Sequence, residues 1–353
     1  MDDEYSAEDQ FSGFLMQTYT GAAVTLCVHI GQQTGLWERL AAGAATSTEL
    51  ADRAGLSERH VREWLSAVTC AGIVEFDEVS RTFWLPPEHA AGLTGATSAN
   101  LAPIAGSFVI AGGMAPSLVE TFVTGGGLPY SAYMPYFTDL QDAANRRTYD
   151  ETLVDGYLAE VDGLSERLTA GIRAVDVGCG TGHCVNLMGQ AFPASSFVGY
   201  DMSPAALDRA RAEARSLGLT NVSFEQRDCM ALDEVADRFD LVTAFDVIHD
   251  LAFPGEALAG IASLLDDDGV FVMVDTKLSS YLENNLDVPT ATLTYVASLV
   301  HCMQVSLAAG GVGLGAAWGH ELAVEMLMKA GFSEIRITET PMDPFDNIYV
   351  ARR

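Results

Sequence analysis

One segment limits what this chain can fold into more than any other: Val175-Asp176-Val177-Gly178-Cys179-Gly180-Thr181-Gly182. Ala174 to Val177 suits a buried strand. Glycines at alternate positions then allow a tight turn and a close ligand approach to backbone amides at a helix start. A helical run through Val185, Leu187 and Met188 follows, and strand–loop–helix is the opening of a parallel α/β sheet. The rest of the chain keeps the alternation. Strands are predicted at Ser196 to Tyr200 (ending at Asp201), Val222 to Glu225 (ending near Asp228), Asp240 to Phe245 and Gly269 to Val274. Helices are predicted at Pro204 to Ser216, Gly255 to Leu265 and Glu321 to Lys329. The closing strands, Ile335 to Glu339 and Ile348 to Ala351, are near enough to pair antiparallel. The expected fold is α/β over residues 166–353: a doubly wound, Rossmann-like seven-stranded sheet with an antiparallel last strand and a helical insertion at 277–320.

The first half has another rhythm. Residues 11–40 give a helical pattern. Thr46-Ser47-Thr48-Glu49 reads as a capping box, Gly55 as a turn, and Ser57 as the cap of a helix carrying Val61, Leu65 and Val68 on one face. Ile73 to Phe76 and Thr82 to Leu85 then form a hairpin. Helix, turn, helix, hairpin predicts a mainly helical winged-helix domain over 1–92, serving dimerisation, followed by a helical linker or substrate lid over 93–165.

Composition narrows the partners. The 353 residues are 49% hydrophobic and carry a formal net charge of −29, which repels phosphate backbones and anionic lipids. The second helix of the winged unit mixes Glu58, Arg59, His60, Arg62 and Glu63 with no basic stripe. No nucleic acid and no membrane is expected. The uncharged stretches Gly92 to Val119 and Val288 to Gly319 are read as buried helices. Six cysteines at irregular spacings form no metal-ligand pattern, so no metal is expected and a reduced, cytoplasmic protein is. The acidic start Met1-Asp2-Asp3-Glu4 is unlike a secretory signal.

The glycine loop raises the question of its ligand. A dinucleotide loop needs a third glycine where His183 stands. Asp176 beside the loop suits a cation better than a pyrophosphate. Asp201 can accept both ribose hydroxyls, and Asp228 can accept from an adenine amino group. S-adenosylmethionine, with an ammonium, a ribose and an adenine, matches all three acids. Cys179, Met202, Cys229 and Phe245 complete the expected cofactor surface with Gly178, Gly180 and Gly182.

On the residues Val175 to Gly182, Asp201 and Gln226-Arg227-Asp228-Cys229, the chain resembles the class I S-adenosylmethionine-dependent methyltransferases. Its winged-helix region resembles the small-molecule branch, of actinobacterial type, with an N-terminal dimerisation domain. The resemblance implies methyl transfer leaving S-adenosylhomocysteine, and a homodimer joined mainly through residues 1–100, aided by Val288 to Leu307. It places a His-Asp pair after the fourth strand, where Ile248-His249-Asp250 stands, with Leu251 replacing the tryptophan of many plant members. His249 is then a general base for O-methylation, with an unperturbed pKa near ~6.5, or a structural His capping the strand. Aromatics at Tyr130, Tyr133, Tyr136 and Phe137, with His301, offer walls for a small hydrophobic acceptor. Two competing readings are a cofactor-sensing winged-helix regulator without catalysis and an aminopropyl transferase.

Overall fold

The computed structural model describes residues 6–134, 136–339 and 343–353. Met1 to Glu4 and the side chain of Tyr136 lie outside the described residues. Contacts divide the chain into two compact units: 1–113 with 136–147, and 114–135 with 148–353.

In the first unit, α1 (Ala7–Thr34) ends at Gly35, whose φ of +66° gives the left-handed cap. Then come α2 (Leu36–Ala41), α3 (Ser47–Ala54) and α4 (Glu58–Cys70). The Thr46–Glu49 capping box is formed. Ser57 does precede α4, but it makes no capping bond, because its hydroxyl pairs with His60 Nδ1 at 3.0 Å. The hairpin is shorter than expected: β1 (Glu75–Asp77) pairs with β2 (Thr82–Trp84). The core joins the helices through two tryptophans. Trp37 and Trp64 meet at 4.6 Å with their ring planes tilted by 60°, and they donate to the carbonyls of Val28 and Cys27. Gly31 makes room, since a Cβ there would lie 2.5 Å from Trp37 and 2.7 Å from Trp64. Next come α5 (Pro87–Leu93), α6 (Ile104–Thr124) and α7 (Tyr136–Thr152); the last two contribute to both units.

In the second unit, a π-helical turn at Leu153–Leu158 continues α7, and α8 (Leu164–Ala170) precedes the sheet. The sheet then builds as β3 (Arg173–Val177), α9 (His183–Ala191), β4 (Ser196–Asp201), α10 (Pro204–Ser216), β5 (Val222–Gln226), β6 (Phe239–Phe245), α11 (Pro254–Leu264) and β7 (Leu265–Thr276). The insertion holds α12 (Ala291–Ala297), a π-helical turn at Ser298–Cys302 and α13 (Met303–Ala308). The chain closes with α14 (His320–Lys329), β8 (Glu334–Thr338) and β9 (Asp346–Arg352). Strand order is β5-β4-β3-β6-β7-β9-β8, parallel except for β9, which runs against both neighbours. This is the expected seven-stranded doubly wound sheet with its last strand reversed.

Alternation along β7 assigns the two faces. Val270, Val272 and Val274 join the cluster formed with α9 and α10, while Phe271 and Met273 join the one formed with α11 and α14. The two uncharged stretches depart from their expected burial. Within Ile104–Thr124 and Ala291–Ala308, both long and apolar enough to cross a membrane, only 17% and 28% of the residues in the most apolar stretch are buried. Their apolar faces are left open in a single chain.

Candidate functional site

The turn after β3 is fixed by glycine geometry. Gly178, Gly180 and Gly182 have φ of +76°, +53° and +74°, a region only glycine visits freely. A Cβ on Gly178 would lie 2.4 Å from Val247 Cγ2, and one on Gly182 would lie 2.4 Å from Ala210 Cβ and 2.5 Å from the Phe224 ring. Gly180 differs, since a Cβ there meets nothing within 4 Å. Two glycines therefore let the loop pack, and the third leaves an open face. The Gly178 and Cys179 amides donate to Tyr200 O at 2.8 and 2.9 Å, tying the loop to β4.

Acids surround that face. Asp176 is buried, and Thr243 from the neighbouring strand donates to its Oδ1 at 2.7 Å. Burial pushes its carboxyl up to about 7, against the Thr243 bond. Asp201, at the end of β4, accepts from Gly180 N at 2.9 Å on Oδ2 and from Ser203 N at 2.8 Å on Oδ1. Each of its oxygens keeps a lone pair for a further donor. Burial raises this carboxyl too, against its backbone bonds. Asp228 is exposed beyond β5 and accepts from Met230 N at 2.9 Å. Met202 is exposed beside Asp201, while Cys179 lies against Gly199 and Cys229 is buried. Phe245 is buried too, its ring within 6.1 Å of the Tyr149 and Tyr157 rings. A cradle with one open glycine and free acceptors on successive strand ends fits a ligand carrying a cation and vicinal hydroxyls, as S-adenosylmethionine does.

His249 sits in a 3-10 turn, Ile248–Asp250, after β6, with its side chain 3% exposed. The insertion clasps this turn: Gly315 N donates to His249 O, Val312 N to Ala252 O and Ser306 Oγ to Leu251 O. Nδ1 lies 2.9 Å from Asp275 Oδ1, which also accepts from Trp318 Nε1 and Thr276 N, each at 2.9 Å. Nε2 faces Asp250 Oδ1 at 3.4 Å and Asp246 Oδ1 at 3.8 Å. Burial alone would lower the His249 pKa, but Asp275 and then Asp250 outweigh it, and the net shift is well above the ordinary value. That overturns the expectation of an unperturbed histidine: Asp275 and Asp250, with the Cys302 sulfur, favour its imidazolium. Burial pushes the Asp246 carboxyl up to about 6, partly offset by His249. Asp246 also holds a φ of +55°, unusual for a residue with a side chain.

The acceptor-side residues divide. Tyr133 is buried, donates to Val300 O at 2.5 Å and meets His301 edge-on at 4.8 Å, with Tyr130 at 5.8 Å from the same ring. Burial pushes the Tyr133 hydroxyl up to about 12. Phe137 lies on α7 in the other compact unit. Sequence reasoning missed Asp246, Asp275 and Trp318. The signal for the two acids was present, since each directly follows apolar residues, Ala244-Phe245-Asp246 and Met273-Val274-Asp275.

Comparison with known proteins adds lineage to this geometry. Residues 168–324 match the methyltransferase domain family, and residues 22–95 match the Rv2258c-like winged HTH domain. Aklanonic acid methyltransferase DauC of Streptomyces sp. (strain C5) is 32% identical over 149 residues, 39% of this chain and 64% of that protein. The chain thus spans less than two thirds of the length of the curated relatives it matches. By structure, it is similar to an O-methyltransferase family protein of Burkholderia thailandensis (TM-score 0.72, 17% identity, 99% of this chain and 98% of the other). It is also similar to human N-acetylserotonin methyltransferase in complex with SAM (TM-score 0.70, 15% identity, 99% of each chain). The same fold therefore extends over nearly the whole length of both structures. Residues 168–324 are thus similar to the methyltransferase domain family, and they follow a segment similar to the Rv2258c-like winged helix-turn-helix domain.

Proposed function

We propose that this chain is a cytoplasmic, homodimeric enzyme that transfers a methyl group from S-adenosylmethionine to a hydroxyl of a small hydrophobic acceptor, releasing S-adenosylhomocysteine. The observation that carries this reading is the buried His249–Asp275 pair, which stands on the same strand-end edge of the sheet as the glycine loop and Asp201. When bound, the cofactor supplies an electrophilic methyl group on a sulfonium. Asp176 and Asp201 would hold its ammonium and ribose, Asp228 its adenine, and Gly180 admits it to the backbone. His249 donates from Nδ1 to Asp275 and so presents the Nε2 lone pair to the acceptor hydroxyl. Taking that proton creates an imidazolium that Asp275 and Asp250 stabilise. Tyr133, Phe137 and His301 are the proposed acceptor contacts, apolar apart from one phenol and one imidazole. Six cysteines, none of them in a disulfide, accord with the cytoplasm.

The tests separate cofactor from chemistry. S-adenosylmethionine or S-adenosylhomocysteine should raise the melting temperature and NAD should not, since a ligand of the folded state stabilises it by mass action. Stabilisation by NAD alone would end the cofactor reading. With an acceptor found by screening phenols and fatty acids, His249→Ala should lower kcat by roughly 10²–10⁴-fold with cofactor affinity nearly unchanged. A variant with full turnover would remove the base.

The regulator reading fares worse on α4. Arg59 pairs with Glu63 and Arg62 with Glu58, so both arginines of the would-be recognition helix are neutralised along its own surface. A DNA-binding protein should be retained on heparin at low salt, whereas this chain should flow through.

A further inference from the structure

We infer that His249, Asp250 and Cys302 form a binding site for a soft divalent transition-metal ion, zinc being the type. One ligand atom from each residue lies within 4.8 Å of the other two. His249 Nε2 and Asp250 Oδ1 are 3.4 Å apart, close to the ~3.3 Å edge of a tetrahedron with zinc–ligand bonds of about 2.0–2.1 Å. Thiolate, imidazole and carboxylate are the zinc ligand types, and three protein ligands with one open position is the arrangement of a reactive rather than a structural zinc.

Three observations beyond the spacing of the triad support the site. Metal-bound histidines characteristically give their other ring nitrogen to a carboxylate. His249 Nδ1 does so with Asp275, which is itself held by Trp318 Nε1 and Thr276 N. The ring is therefore already oriented with Nε2 toward Asp250 and Cys302. Asp250 Oδ1 is also buried and accepts no hydrogen bond among the described residues, a deficit that a cation would remove. Cys302 ends the π-helical turn Ser298–Cys302, a local widening frequent at functional sites. No spacing rule in the sequence pointed here, because the thiol comes from the insertion and the His-Asp pair from the turn after β6.

Ligation forms zinc–nitrogen, zinc–oxygen and zinc–sulfur bonds, and the thiol proton leaves to the buffer with any proton on Nε2. A metal on Nε2 occupies the lone pair that the base needs, so zinc inhibits transfer. That consequence rests on the proposed function, whereas the binding does not. The experiment titrates the metal-free full-length chain with Co2+ and reads the thiolate-to-cobalt charge-transfer band. One equivalent per chain with a band is expected, and Cys302→Ser should abolish the band and weaken zinc by more than the roughly 10–100-fold that loss of an outer-shell partner costs. X-ray absorption of the zinc-loaded wild type needs no variant and should show one sulfur at about 2.3 Å. Absence of the band and the sulfur shell, or a band that survives Cys302→Ser and so comes from another cysteine, overturns the site. In turnover assays half-inhibition by zinc should need at least tenfold more metal in Cys302→Ser than in wild type. A Cys302-dependent band without inhibition leaves the site standing and sinks the base instead.

Discussion

The two nitrogens of His249 meet different surroundings, and this sets the pH response of the whole reaction. Nδ1 is held by Asp275, while Nε2 looks toward Asp250 and Asp246. The resulting pKa lies well above the ordinary histidine value. A proton acceptor must be neutral, so turnover should fall as pH drops through this raised value, and the acid limb should lie above ~6.5 instead of on it. Linkage runs the opposite way. The charged His249–Asp275 pair stabilises the fold fully below the unfolded pKa, and that contribution is lost as pH rises through the folded one. Asp275→Asn should move the limb down and lower kcat by about ten- to a hundredfold, the worth of one charged hydrogen bond. An unchanged limb in that variant would show that Asp275 does not govern the base. The sequence named His249 from its position after a strand. Its charge state was hidden, because it depends on Asp275 near the end of β7, Asp250 in the turn between β6 and α11 and Cys302 in the insertion, groups that only the fold brings together.

At the scale of elements, the glycine loop separates packing from binding. Gly182→Ala would drive a Cβ into Ala210 and Phe224, and Gly180→Ala would meet only open space, although both positions have positive φ. Both substitutions carry the strain of a left-handed residue, roughly 1–2 kcal/mol. Only Gly182→Ala adds overpacking, typically about 1–3 kcal/mol more. Gly182→Ala should therefore lower the melting temperature further, whereas Gly180→Ala should lose more cofactor affinity than stability. Equal melting temperatures would refute the distinction. Elements with local signals were legible. Pro204 to Ser216 was read with both ends right because Ser203 caps it and Pro204 occupies its first turn. β7 begins earlier than expected, at Leu265, because Asp266-Asp267-Asp268-Gly269 reads as loop while Leu265 pairs with Phe239 of β6. The π-helical turns at Leu153–Leu158 and Ser298–Cys302 have no local signature, since tertiary packing, not residue preference, widens them.

For the whole molecule, the charge of −29 and the apolar surface pull in different directions. Charge of one sign keeps chains apart. Yet α1 buries only Gly31 of its 28 residues and exposes Phe11, Phe14, Met16, Tyr19, Leu26 and Ile30. An unsupported helix of this kind gains little from propensity alone, and helices in proteins owe most of their stability to packing. α6 likewise exposes Val119, Phe122 and Val123. Contiguous apolar surface on this scale marks an interaction surface. A second copy of the chain is the partner proposed here, joined by a two-fold axis in which the same helix serves both sides. Light scattering at micromolar concentration should give the mass of two chains. Replacing Phe14 and Tyr19 together by Glu removes two aromatic burials from each chain, four in the dimer, worth about 1.5–3 kcal/mol each, so the dissociation constant should rise by roughly 10⁴-fold or more. The variant should then run as a folded monomer, with the circular dichroism of the sheet domain and cofactor-induced stabilisation retained, because neither residue belongs to the unit that carries the glycine loop. A wild-type monomer at that concentration would refute the assembly, and a dimer that survives both substitutions would remove α1 from its interface.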